Sequence, residues 1–203
     1  MNLSAMKDKY SFIKMDLLKE LGTIGAGRAA TSLSELIGSN VHITVPDTRI
    51  YPFQQLNDTL RMSAKKYYAF STEVHGDLNG RNLLLLTEPD TKIISGMLLG
   101  QDPQNIDIED QMVLSSLKEV ANILLSSYMN ALSELTDFKI LVGVPEFSSA
   151  MTSEEVLAKE AAGADEVLYV RSQLEARHTN FNGLTIFVPD NASLDKIFAK
   201  LSS

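Results

Sequence analysis

The chain has 203 residues, 44% hydrophobic and 22% charged, the balance of a soluble globular protein. It has no cysteine, which excludes disulfides and thiolate metal sites, and its net charge of -8 speaks against nucleic-acid binding, which needs a basic footprint. The first ten residues lack an apolar core and the longest strongly apolar run is Leu83 to Leu86, so neither a secretory signal nor a membrane span is expected.

A long helix comes first, about Ser11 to Ile37, with Leu17, Leu21 and Ile24 at helical spacing. A strand follows in which Val41, Ile43 and Val45 alternate, and Pro46 is expected to end it. After a variable stretch, two strands, about Tyr67 to His75 and Asn82 to Thr87, form a hairpin turning near Asn79-Gly80. A closing helix starts at Pro89-Asp90. The second long helix covers about Ile108 to Leu135, with Leu117, Val120, Ile123 and Leu124 in register. Ile140, Val142 and Val144 then alternate up to Pro145. Thr152 and Glu155 make a capping box for a short helix near Thr152 to Ala161. Strands of about Glu166 to Arg177 and Gly183 to Val188 are expected to turn near Asn182-Gly183, and a last helix starts at Pro189-Asp190.

This order occurs twice because the chain repeats itself. Leu33-Ser34-Glu35-Leu36 recurs as Leu132-Ser133-Glu134-Leu135, ninety-nine positions later. Lys19-Glu20 matches Lys118-Glu119 and Pro46 matches Pro145 at the same offset. Either copy alone would bury little apolar surface. The expected fold is therefore α+β with pseudo-twofold symmetry: a largely antiparallel sheet of about six strands, with two long helices packed together on one face. One domain over residues 1–203, built from repeats of about 11–100 and 108–203, is the expected organisation.

Ser115, Glu119 and Asn122 stand at i, i+4 and i+7 on the second long helix. At about 100° per residue they lie within roughly 60° of one another, a polar line about 10 Å long. Pro145 stands twenty-three residues after Asn122. Copy one holds Asp16, Glu20, Thr23 and Pro46 at the same spacings. Gly22, Gly25 and Gly27 lack the Lys-Ser/Thr of a phosphate loop and instead suit close helix approach. His42, His75 and His178 are scattered, so no metal site is expected.

The pattern Asp/Ser, three residues, Glu, two residues, Asn, twenty-two residues, Pro resembles the signature of the CheC, CheX and FliY phosphatase family. Copy two matches at all four positions; copy one departs at Thr23, where the family has Asn. The resemblance implies a phosphatase acting on the aspartyl phosphate of a CheY-like response regulator. It implies that Asn122 orients a water and Glu119 docks against a lysine of the regulator. Ser115 then supports the docking surface and Pro145 shapes the strand end. Copy one becomes a degenerate second site of Asp16, Glu20, Thr23 and Pro46. No cofactor of its own is implied, because Mg2+ arrives with the regulator. A CheD-like receptor deamidase is a further implied partner, and an adaptor role toward it is the alternative function. A flagellar switch role ranks last, since the chain ends soon after the second copy's closing helix. A cytoplasmic monomer is expected.

Overall fold

The computed structural model describes residues 12–61, 66–160, 164–176 and 179–200. The first long helix, α1 (Phe12–Ile37), ends at Gly38, whose φ of 65° is the left-handed value that favours glycine. The Ser39 N–H then reaches back to the Ser34 carbonyl at 3.2 Å, closing the helix end. β1 (Val41–Pro52) runs straight past Pro46 rather than ending there. Its pairing lapses between Thr44 and Asp47, and this irregularity accommodates a residue with no N–H to offer the ladder. The variable stretch contains α2 (Phe53–Arg61), which the sequence reading did not anticipate. β2 (Lys66–Gly76) and β3 (Gly80–Thr87) form the first hairpin, and α3 (Glu88–Leu99) closes the copy, capped by the Thr87 side chain.

In copy two, α4 (Gln111–Thr136) starts three residues later than expected, because the Asp110 carboxylate accepts from the N–H groups of Met112 and Val113 at 2.8 and 3.2 Å. The strand after it is split into β4 (Ile140–Val142) and β5 (Glu146–Thr152), with Pro145 in the break. α5 (Ser153–Glu160), β6 (Glu166–Ala176), β7 (Thr179–Pro189) and α6 (Asn191–Lys200) complete the fold. The second hairpin does not turn at Asn182-Gly183. Those residues lie inside β7 opposite Gln173 and Ser172, and the β6–β7 pairing runs on past them to Ala176 and Thr179. Gly183 serves packing instead: a Cβ there would sit 3.3 Å from Leu84 Cδ1.

The seven strands make one antiparallel sheet in the order β1-β6-β7-β3-β2-β4, with β5 also on β2. The two copies exchange their first strands. β1 of copy one pairs with β6 of copy two, while β4 and β5 of copy two pair with β2 of copy one. Register follows the repeat: Val41 faces Ala176 as Ile140 faces Gly76, and Pro52 faces Glu166 as Thr152 faces Lys66.

α1 and α4 pack together on one face of the sheet, over Phe70, Leu84, Leu174 and Phe181 at one end and Val74, Leu168, Val170 and Phe187 at the other. The opposite face is also covered: α2 and α5 bury Leu56, Leu60, Val156 and Leu157 against Leu83, Leu85 and Ile186. Tyr128 of α4 is 1% exposed, and its hydroxyl shares a 2.5 Å hydrogen bond with Ser172. Burial pushes its pKa up to about 12, against the opposing effect of that bond. The glycines of α1 divide by what they face. Gly25 lies against the Tyr128 ring, Gly22 lies against Val45 and Thr48 of β1, and Gly27 has nothing within 4 Å. Among the described residues, no helix is long and apolar enough to cross a membrane.

The expected capping box forms. The Thr152 N–H donates to Glu155 Oε2 at 2.8 Å, and the Glu155 N–H donates back to Thr152 Oγ1 at 3.3 Å. The Thr152 backbone N–H, with its hydroxyl second, holds the Glu155 carboxyl below the usual glutamate range. A lowered folded pKa contributes stability that is present above the unfolded value and is lost as pH falls through the folded one. Amide exchange in α5, corrected for intrinsic rates, should therefore lose protection on acidification below the ordinary glutamate pKa. In Glu155→Gln this acid-dependent loss should shrink; identical pH profiles in the two proteins would contradict the assignment.

Candidate functional site

The buried side of α4 is built from Val113, Leu117, Val120, Ala121, Leu124, Leu125 and Tyr128. That leaves the line through Ser115, Glu119 and Asn122 on the outer side, with Ser115 and Glu119 exposed and Asn122 half-buried. Glu119 makes no ion pair with a described residue, so its carboxylate is open to an external cation. Asn122 Oδ1 accepts from Ser126 Oγ at 3.4 Å, and its Nδ2 donates to no described atom. Pro145 is buried in the break between β4 and β5, both of which contact α4. The fold thus brings the break that holds Pro145 up to the helix that carries the stripe.

Apolar groups stand proud around this line. Met112, one turn before Ser115, is 67% exposed, and Val144, next to Pro145, is 84% exposed. Ser115 also borders an open cleft with Asp107, Asp110 and Met112. Large exposed apolar side chains beside an unpaired carboxylate suit contact with another macromolecule. Sequence reasoning missed Met112 and Val144, because exposure of a methionine or valine is not written in periodicity. It also missed Ser126, although its position one turn after Asn122 was a usable signal.

The first copy is assembled differently. Asp16 and Glu20 are exposed, and Asp16 lies 3.7 Å from Lys19, an exposed pair of little energetic consequence. The Thr23 hydroxyl donates to its own helix at Lys19 O, 3.0 Å away. Gly22 packs against Val45 and Thr48, which flank the irregularity of β1 at Pro46, so the stripe and the bend are again neighbours. The first copy therefore keeps the layout and carboxylates but lacks a free amide at position 23. Among the described residues, no group of His, Cys, Asp or Glu could hold a metal ion.

The CheC-like family model matches residues 13–50 and 112–149, the two segments that run from each stripe to the strand after its proline. The CheY-P phosphatase CheC of Bacillus subtilis is 28% identical over 197 residues, covering 94% of each chain. The crystal structure of Thermotoga maritima FliY aligns over 95% of this chain and 97% of its own, with a TM-score of 0.72 and 22% identity. A chain of the CheX-CheY-BeF3-Mg2+ complex from Borrelia burgdorferi aligns over 84% of this chain and 97% of its own, with a TM-score of 0.52 and 12% identity.

Proposed function

Because the chain belongs to the CheC-like family, we propose that it removes the phosphoryl group from the aspartyl phosphate of a CheY-like response regulator. The observation that carries this reading is the stripe on α4: an exposed Glu119 with no described ion-pair partner, one turn from a half-buried Asn122 whose Nδ2 has no described partner. The stripe lies inside a family-matched segment, and the CheC relative is named for acting on phosphorylated CheY.

The chemistry asks little of this chain. An aspartyl phosphate is an activated acyl phosphate, and its hydrolysis needs a water in line with the breaking bond and charge compensation at the phosphoryl oxygens. The regulator brings Mg2+ and a lysine as part of the substrate complex. Glu119 pairs with that lysine and sets the register of docking. Asn122 offers a donor and an acceptor while remaining neutral, so it can hold a water beside phosphate without electrostatic repulsion. Met112 and Val144 are the apolar contacts available to the docked partner, and Ser115 lies between Met112 and Glu119 on the same face.

Copy one should contribute little to turnover. A threonine hydroxyl is shorter than an asparagine amide, and the hydroxyl of Thr23 is already committed to Lys19 O. Thr23→Ala is expected to leave phosphate release within about 2-fold of wild type, since no positioned transition-state group is removed. A large loss in that variant would move the working site to α1. The proposal itself is tested by following the decay of a phosphorylated CheY-like regulator with and without this protein. Accelerated decay is expected; an unchanged rate with every regulator of the same cell would overturn the reading.

A further inference from the structure

We infer that Ser126 is a positioning residue that sets the orientation of the Asn122 amide. This rests on the role proposed for Asn122 and extends it to a residue that touches neither water nor phosphate. The observation is a departure from the bond that most helical hydroxyls here make; Ser133, near the end of α4, also departs, but toward the backbone carbonyl of Phe138. The hydroxyls of Thr23, Thr31, Ser34, Thr91, Ser95 and Thr136 each donate to the backbone carbonyl one turn back. That is the default for a hydroxyl inside a helix. Ser126 stands one turn after Asn122, yet its Oγ donates to the side-chain Oδ1 of Asn122 at 3.4 Å.

A carboxamide is nearly symmetric in shape and opposite in chemistry at its two ends. Rotation by half a turn exchanges acceptor for donor. An amide that must accept from a water and donate to a phosphoryl oxygen works in one of these orientations only. In the observed arrangement the hydroxyl donates to Oδ1 and so supports that orientation. It occupies one of the two lone pairs of Oδ1, leaves the other for a water O–H, and leaves Nδ2 to donate outward. At 3.4 Å the bond is long, so it biases the amide rather than clamps it.

The first copy lacks both parts together. The position equivalent to Ser126 is Gly27, which has no hydroxyl and open space around it, and the position equivalent to Asn122 is Thr23.

The test is steady-state turnover of the phosphorylated regulator by wild type, Ser126→Ala, Ser126→Thr, Asn122→Ala and the Asn122→Ala/Ser126→Ala double variant. Ser126→Ala is expected to lower kcat roughly 3- to 10-fold, the scale of one neutral hydrogen bond, with KM unchanged. Ser126→Thr keeps the hydroxyl and should restore most of the rate. In the Asn122→Ala background, removing the hydroxyl should have no further effect. An unchanged kcat in Ser126→Ala, beside an inactive Asn122→Ala, overturns the role of Ser126 and leaves that of Asn122 standing. An undiminished effect of Ser126→Ala in the Asn122→Ala background also overturns it, by revealing a general structural role. Full activity of Asn122→Ala removes the premise and the inference together.

Discussion

Asn122→Ala is expected to slow the assisted decay of the phosphorylated regulator on the order of 10²-fold, the usual loss when one positioned transition-state donor is removed. That factor corresponds to about 2.7 kcal/mol of barrier. It should fall on kcat rather than KM, because docking is assigned to Glu119 and the apolar contacts, whereas the amide acts on the water. The substitution is also structurally mild. Asn122 is half-buried on the outer side of α4, and its truncation frees Ser126 to bond the helix backbone as other helical hydroxyls here do. The melting temperature should therefore change little, and the lost rate can be read as lost chemistry. Asn122→Asp should be no better: it keeps the shape but places a negative charge against the phosphoryl group. Kinetics measured over a range of regulator concentrations check both parts. A fully active Asn122→Ala would remove the proposed mechanism.

Gly25→Ala and Gly27→Ala, two positions apart on one helix, are expected to change stability in opposite directions. In an exposed helix interior, glycine costs about 1 kcal/mol relative to alanine, so Gly27→Ala should stabilise by up to that amount. Nothing lies within 4 Å of its added Cβ. At Gly25 the same methyl would meet Tyr128 Cδ1 at 2.3 Å, Cε1 at 2.9 Å and Cα at 3.2 Å. The ring cannot swing aside cheaply, because it is 1% exposed and tied to Ser172 through its hydroxyl. Overpacking a dense core costs about 1–3 kcal/mol, more than the helix gain offsets. For a protein of this size, each kcal/mol moves the melting temperature by roughly 2–4 °C. Thermal unfolding of the two variants should thus bracket wild type, with Gly25→Ala several degrees below it. The Gly25 penalty should fall when Tyr128 is first replaced by alanine, since the two residues share the contact. A melting temperature for Gly25→Ala at or above wild type would show that α1 and α4 do not approach as described.

The two long helices, the first hairpin and the outward polar stripe of α4 were legible because each rests on local chemistry. Helical spacing puts Leu117, Val120 and Leu124 inward, and the same arithmetic puts Ser115, Glu119 and Asn122 outward. The capping box of Thr152 and Glu155 is likewise a matter of neighbours. What escaped was decided at long range. Nothing within β1 says that its partner is β6 of the other copy, so the exchange of edge strands appears only in the pairing. Asn182-Gly183 has the chemistry of a turn. Yet the long-range pairing of β6 with β7 continues past it to Ala176 and Thr179, so Asn182 and Gly183 sit inside a strand. α2 was missed because nine residues do not hold a helix by themselves. It forms where Leu56 and Leu60 find the sheet face that α5 also covers. At the site, the amide of Asn122 was readable as a residue type, but the use of Ser126 to orient it depends on a hydroxyl choosing a side chain over its backbone.

The most direct test of the whole account is multiple turnover: a large excess of phosphorylated CheY-like regulator, a trace of this protein, and phosphate release followed in time. Wild type is expected to release many equivalents of phosphate per molecule, and Asn122→Ala, folded to the same melting temperature, almost none above the spontaneous rate. Equal release by the two proteins, or none by either, would contradict a phosphatase whose working site lies on α4.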